Sequence, residues 1–233
     1  MRIVVLTGAG ISAESGLTTF RDSGGLWEGH DPMQVATPEA FADDPGLVQR
    51  FYDARRAALL RVQPNAAHRA LVRLEEALGD DLLVVTQNVD DLHERAGARR
   101  VHHIHGRLQS AWCTRCDERH EWHGALADGP ACPSCGAAGL RPDIVWFGEI
   151  PYGMDEIQDR LAEADLFVSI GTSGAVYPAA GFVQQARAYG ARTLELNLVP
   201  SEGSHHFQEA RHGPAGVLVP MWVDEVLGMG QLP

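Results

Sequence analysis

The apolar run at residues 2–6 stops directly in the turn TGAGISA (7–13). A short apolar run that ends in glycines reads as a buried parallel strand feeding a helix. Gly8 and Gly10 hold the first two positions of the dinucleotide fingerprint and Ala13 the third, with Ala9 between. Such a turn is tight and bare of side chains, so backbone N–H groups can approach a pyrophosphate at a helix N-terminus. Alone, GxGxxA also fits a plain strand–helix turn. A dehydrogenase would add an acidic residue at the end of its second strand, about 20 positions on. Asp31 has that spacing but lies in a glycine-broken loop. Nucleotide binding is therefore expected, and hydride transfer is not.

Strand–helix alternation continues along the chain. Residues 12–17 can open a helix, and 18–35, rich in glycine and proline, read as a long loop of the kind that usually serves function. Thr37–Pro38 and Asp44–Pro45 each pair an N-cap with proline at the first helical position. The second pair opens a helix to about residue 62, stopped by Pro64; Asn65 caps another, closed by Gly79. Strands are expected at 82–86, 101–104, 143–147 (DIVWF), 166–171, 192–196 and 216–220 (GVLVP). Helices are expected near 154–164, at 178–189 and at the C-terminus. The pattern predicts an α/β fold with a doubly wound, Rossmann-like parallel sheet. Residues 1–30, 66–108 and 142–233 are assigned to that domain, and 31–65 with 109–141 to a small module.

The module holds all four cysteines. Cys113, Cys116, Cys132 and Cys135 form CxxC–x15–CxxC, a spacing that suits one closed tetrahedral zinc. With no open coordination position, the metal is expected to hold the insertion folded, not to activate water. Duplication of the spacing argues against redox use.

His102, His103 and His105 crowd one strand end, and any of them could serve as a general base near neutral pH. Strand alternation puts His103 and His105 on one face. The turn QNVD (87–90) follows a predicted strand, where ligands of doubly wound sheets bind, although a helix cap would explain it as well.

Composition narrows the partners. The net charge is −12, and no cluster of cations is present to bind nucleic-acid phosphates. No apolar run reaches the roughly 18 residues of a membrane span, and no signal peptide precedes the first strand. A cytoplasmic monomer is expected.

Seven segments together resemble the sirtuin family of NAD-dependent protein lysine deacylases: GAGISAESGLTTFR, TQNVDDLHERAG, HGR from His105, the paired CxxC motifs, RPDIVWFGE, GTSGAVYPAA and ELNLVPS. They fall in the family's order and span nearly the whole chain. The resemblance implies that His105 is the base and that NAD+ is a consumed cosubstrate. It places Gly8, Ala9, Gly10, Ala13, Glu14, Phe20 and Arg21 on NAD, with Gln87, Asn88 and Asp90 at the nicotinamide and ribose. Gly171, Thr172, Ser173 and Asn197 would hold the adenosine side, closed by backbone near Ala215.

In the implied reaction the acyl amide oxygen attacks C1′ of the nicotinamide ribose and expels nicotinamide. The base then activates the ribose 2′-hydroxyl, which captures the acyl carbon. Water completes release of lysine and 2′-O-acyl-ADP-ribose. The partner would be an acylated lysine in a protein or peptide, paired as an added strand near 147–149 and 174–177. All 19 cationic side chains are arginine; codon bias explains this most simply, but it also spares a deacylase from being its own substrate. Protein mono-ADP-ribosyl transfer and a non-catalytic NAD- or ADP-ribose-sensing module are the alternatives.

Tyr52 and Arg55, three residues apart, share one helix face. They resemble the Tyr-x-x-Arg signature of sirtuins that remove succinyl, malonyl and glutaryl groups. A guanidinium fork and a hydroxyl donor suit an acyl chain ending in carboxylate. Spacing alone fits Tyr52 packed on Phe51 and Arg55 solvated beside Arg56; within the resemblance, the acid-binding role is preferred. Two positions depart from the family pattern. Thr18 stands where many members have proline, and Asp143 where histidine or another uncharged residue is expected.

Overall fold

The computed structural model describes residues 1–18, 27 and 29–229. Strand β1 (Ile3–Thr7) runs into a single helical turn, α1 (Gly10–Ala13). Three helices follow: α2 (Pro32–Val35), α3 (Pro38–Asp43) and α4 (Pro45–Leu59). Each begins with the same device. Asp31, Thr37 and Asp44 accept from the N–H groups of Met33, Ala40 and Leu47, and a proline supplies the first helical residue. Helix α5 (Ala66–Leu78) opens on a capping box: the Asn65 side chain accepts from Ala67 N–H, and the His68 ring accepts from Asn65 N–H. Then come β2 (Leu82–Thr86), α6 (Leu92–Ala96), β3 (Val101–His103), β4 (Gly106–Cys113), β5 (Arg119–Glu121) and β6 (Leu140–Ile144). The chain finishes with α7 (Met154–Glu163), β7 (Leu166–Ile170), α8 (Phe182–Ala188), β8 (Arg192–Asn197), β9 (Glu209–His212) and α9 (Ala215–Met229).

Six strands form a parallel sheet in the order β3-β2-β1-β7-β8-β9. Helices cover both faces, which is why IVVLT, LLVVT and LFVSI are continuously buried and do not alternate. On one face Leu71 and Leu74 of α5, with Val219 and Trp222 of α9, pack on Val5, Val84 and Val168. On the other, Ile157 and Leu161 of α7 and Phe182 of α8 pack on Val4, Leu6 and Phe167. Each fully buried leucine or phenylalanine contributes about 1.5–3 kcal/mol. The order reverses between β1 and β7, so this doubly wound sheet has its switch point at their carboxyl ends.

A second, antiparallel sheet has the order β5-β4-β6. Helix α4 packs across it through Val48, Phe51 and Tyr52 against Leu108, Ile144 and Trp146.

Several sequence expectations are corrected. DIVWF was expected as a strand of the main sheet, but β6 ends at Ile144 and pairs with β4 in the small one. GVLVP was expected as a strand; it lies inside α9, with Pro220 within the helix. A short apolar run has no period that separates a buried strand from a buried helix turn. The last strand is instead the polar EARH of β9, an edge strand without the apolar signature. Residues 12–17 hold only the end of α1, and within the expected loop 18–35 the described part contains α2. Helix 178–189 begins as a 3₁₀ turn at Ala179–Gly181 before α8. Among the described residues, no helix is long and apolar enough to cross a membrane.

Candidate active site

At the switch point the loops after β1 and β7 lie against each other. Gly8 N–H donates to the Ile170 carbonyl (3.0 Å) and Gly10 N–H to the Gly171 carbonyl (2.8 Å). A Cβ on Gly10 would stand 2.7 Å from Gly171 Cα, so both loops need glycine to close this contact. The glycines thus join two strand ends as well as baring the backbone.

A cavity of about 810 Å³ opens over this junction. The first turn lines it with Gly8, Ala9, Gly10, Ala13 and Glu14, and the loop after β2 with Gln87, Asn88 and Asp90. Gly171, Thr172 and Ser173 follow β7, Asn197 ends β8, and Ala215 begins α9. Tyr52 and Arg55 of α4 close the far side, and His105 lies in the same wall. Every predicted non-cysteine site residue within the described part of the chain therefore meets in one cavity. Phe20 and Arg21 lie outside the described residues.

The QNVD turn is held from below by a buried polar network. Asn88 Nδ2 donates to the Gly8 carbonyl (3.1 Å) and to Ser12 Oγ (3.2 Å), and Ser12 Oγ donates to Asp90 Oδ2 (3.0 Å). Asp90 Oδ1 also accepts from Leu92 N–H at the start of α6, although the N-cap position itself is Asp91, whose side chain makes no cap bond. Burial pushes the Asp90 carboxyl above the usual range. Ser12, absent from the predicted site, is the hub of this network. Its only sequence signal was its place inside GAGISA.

Beneath it lie His68 and His93, ring centroids 5.0 Å apart. Burial lowers His68 to about 4, helped by Arg69, and His93 to about 3, helped by His68. Both rings are neutral in the native state, whereas the unfolded chain takes up these protons below about pH 6.5. The unfolded form then binds more protons, so stability falls as pH drops from about 6.5 toward 4. Asp90, with its raised value, has the opposite sign and loses its contribution as pH rises. We expect a melting temperature on the order of 10 °C lower at pH 5 than at pH 7. In His93→Gln about half that drop should remain; a flat profile in the wild type would contradict two buried neutral imidazoles.

The three crowded histidines separate clearly. His102 Nδ1 faces Glu156 of α7 at 3.6 Å. His103 Nδ1 meets the Asn88 carbonyl (3.0 Å) and Nε2 meets Glu94 (2.7 Å), so both its nitrogens are engaged. Of the three, only His105 lines the cavity. Its Nδ1 lies 3.1 Å from the Gln87 carbonyl, an acceptor only, so Nδ1 carries the proton and Nε2 is left as acceptor. Burial lowers its pKa, which keeps the ring neutral.

Across the cavity, Tyr52 is fully buried and accepts a hydrogen bond from Trp146 Nε1 (3.0 Å). Burial pushes its phenol well above its ordinary value, so the hydroxyl keeps its proton. The Arg55 guanidinium lies 4.1 Å from the centroid of the Trp27 ring. Tyr52 does pack edge-on to Phe51 (5.0 Å), but Arg55 is half-buried over Trp27 and not solvated, and its neighbour Arg56 is buried, pairing with Asp53 and donating to the Leu108 carbonyl.

Asp143 gains a structural account. It accepts from Ser110 (2.7 Å) and Tyr152 (2.8 Å) and pairs with Arg119 (3.3 Å), tying β4, β5 and the segment before α7 to β6. Thr18 lines the cavity mouth.

The four cysteine sulfurs lie apart from the cavity and within 4.8 Å of one another. Cys113 and Cys135 are 3.8 Å apart and Cys116 and Cys132 3.7 Å, matching the ~3.8 Å edge of a tetrahedron with 2.3 Å zinc–sulfur bonds. None is in a disulfide. Asp117 and Gly136, each one residue past the second cysteine of its pair, adopt positive φ (64° and 71°), turning both knuckles toward a common centre. The donor set fits one structural zinc.

The sequence profile of the Sir2 family matches residues 8–178. An NAD-dependent protein deacylase of Salmonella typhimurium is 56% identical over 229 residues, covering 97% of this chain and 84% of the relative. The crystal structure of a Sir2 homologue in complex with NAD superposes with a TM-score of 0.89 at 38% identity, over 98% of this chain and 90% of the other. A Sir2 structure bound to acetylated peptide superposes with a TM-score of 0.81 at 28% identity, over 100% and 94%.

Proposed function

The chain belongs to the Sir2 family and is an NAD-dependent protein deacylase, and we propose that it prefers lysine acyl groups ending in a carboxylate, succinyl and malonyl above all. The observation that carries the preference is the placement of Tyr52 and Arg55 in the same cavity as His105. A fixed cation and a protonated phenol suit a carboxylate, whereas an acetyl group ends in a methyl that neither can satisfy.

The NAD site fits the residues present: a side-chain-free glycine junction at the switch point, a buried amide–carboxylate turn, and a cavity large enough for a dinucleotide. NAD supplies a sugar carbon that becomes electrophilic as nicotinamide departs. The chain's part is to orient, exclude water and move one proton. Gly8, Ala9, Gly10, Ala13 and Glu14 would receive the cofactor, with Asn88 and Asp90 braced by Ser12. Gly171, Thr172, Ser173, Asn197 and Ala215 would take the adenosine side; Asn197 Nδ2 already holds the Thr172 carbonyl (2.8 Å). His105 Nε2 accepts the proton of the reacting hydroxyl, and the Nδ1 contact to Gln87 holds the ring for that transfer. The substrate is an acylated lysine of a protein or peptide; the chain is proposed to act as a cytoplasmic monomer. Residues 31–65 and 109–141 are proposed as the small module that carries the acyl-facing wall.

Matched peptides carrying acetyl- or succinyl-lysine, incubated with enzyme and NAD and read by mass spectrometry, test the preference. Arg55→Met should lower kcat/KM for the succinyl peptide by at least about tenfold more than for the acetyl peptide. Equal losses would return Arg55 to a packing role.

A further inference from the structure

The Tyr52 hydroxyl is buried but only half used. Its oxygen accepts the Trp146 indole N–H, and among the described residues its own hydrogen meets no acceptor. A buried donor left without an acceptor is costly, so this hydrogen is available to a ligand entering the cavity that Tyr52 and Trp146 both line. The indole also decides its direction. An N–H on the phenol oxygen excludes the hydrogen from that side, so the hydroxyl acts as a donor toward the remaining space.

Trp146 is itself held firmly. The Arg141 guanidinium lies 3.4 Å from the ring centroid, and Phe41 packs on the ring at 5.2 Å. Arg141 is buried and grips both carboxylate oxygens of Glu149 (2.7 and 3.0 Å), while Glu149 accepts the Trp146 backbone N–H (2.8 Å). Turning the indole away from Tyr52 would disrupt its stacking on the buried Arg141 guanidinium.

We propose that Trp146 is a positioning residue for acyl specificity, its indole N–H orienting the Tyr52 hydroxyl to donate to the terminal carboxylate of the acyl chain. The proposal rests on the acid-acyl reading above. It adds a selectivity mechanism acting through Tyr52, distinct from the charge of Arg55. A carboxylate meets the oriented donor; an acetyl methyl leaves it unpaired, which penalises the shorter group.

The test is a kinetic double-mutant cycle of Trp146→Phe and Tyr52→Phe on succinyl- and acetyl-lysine peptides, with folding checked by melting temperature. W146F should raise KM for the succinyl peptide about tenfold, chiefly in KM and not kcat, and for the acetyl peptide at most about threefold. In the Y52F background, W146F should no longer change the succinyl-to-acetyl ratio. If W146F fails to fold, benzothienylalanine at position 146 removes the N–H at nearly constant shape and should give the same result. A ratio that falls as far in Y52F as in the wild type, or equal losses on both substrates, would overturn the role of Trp146 alone. A wild-type enzyme without succinyl preference would overturn the acid-acyl reading and this inference with it, and that outcome is visible before any variant is made.

Discussion

Replacing His105 with alanine should lower kcat/KM for NAD-dependent deacylation by about 10²–10⁴-fold, the usual contribution of a positioned general base. The size follows from the site. His105 is the one histidine of the three that lines the cavity, and its Nδ1–H on the Gln87 carbonyl leaves Nε2 as acceptor, while His103 is committed to Asn88 and Glu94. The pH profile carries the same information. The base acts when neutral, and burial lowers its pKa, so the acid limb of activity should lie below 6.5 in the free enzyme. Steady-state kinetics of purified H105A, with a melting curve as control for folding, checks the first point; kcat/KM against pH in the wild type checks the second. A folded H105A within tenfold of wild-type activity would remove His105 from proton transfer.

Loss of the metal knuckle should be as severe by a different route. Cys132→Ser, or chelation under denaturing stress, is expected to abolish stoichiometric zinc binding and to lower peptide deacylation by more than about 10²-fold. The small core around the knuckle is little more than Ala111, Leu126 and Leu140 with the two buried cysteines, too few apolar groups to order it without metal. The damage should spread because α4 is bolted to this region. Asp53 accepts from the N–H groups of Leu126 and Ala127, and Arg56 donates to the Gly124 and Leu108 carbonyls. Tyr52 and Arg55 belong to the same helix. The glycine junction of β1 and β7 shares none of these contacts, so NAD binding should suffer less than the peptide KM. Zinc analysis, hydrogen exchange over 109–141 and separate KM values for NAD and peptide distinguish the two effects. A zinc-free variant with native stability and activity would make the metal dispensable.

Much of the scaffold was legible because its signals are local. A cap residue, followed by proline at Thr37 and Asp44, specifies a helix start within three residues, and Thr37, Asp44 and Asn65 each made the predicted contact. Continuous apolar runs marked β1, β2 and β7, since a strand covered on both faces needs no polar side. The errors fell where a local pattern serves two structures equally well. DIVWF and GVLVP are apolar enough for a central strand; pairing with β4 in one case, and packing against α5 in the other, decided otherwise.

By itself, then, the sequence determined the doubly wound α/β class, the strand-end position of the glycine turn, the four metal ligands and the family, each of which depends on residues close together in the chain or on the order of motifs. Local pattern left the three histidines equivalent; tertiary structure decided which of them faces the cavity, because that depends on Gln87 and Asn88 of the loop after β2 and on Glu94 of α6. It also decided that Asp143 is a brace, and that the phenol of Tyr52 meets the indole of Trp146, 94 residues away. A side chain's chemistry is written in its own residue type; its partner, and therefore its protonation, direction and use, is set by where the fold brings the rest of the chain.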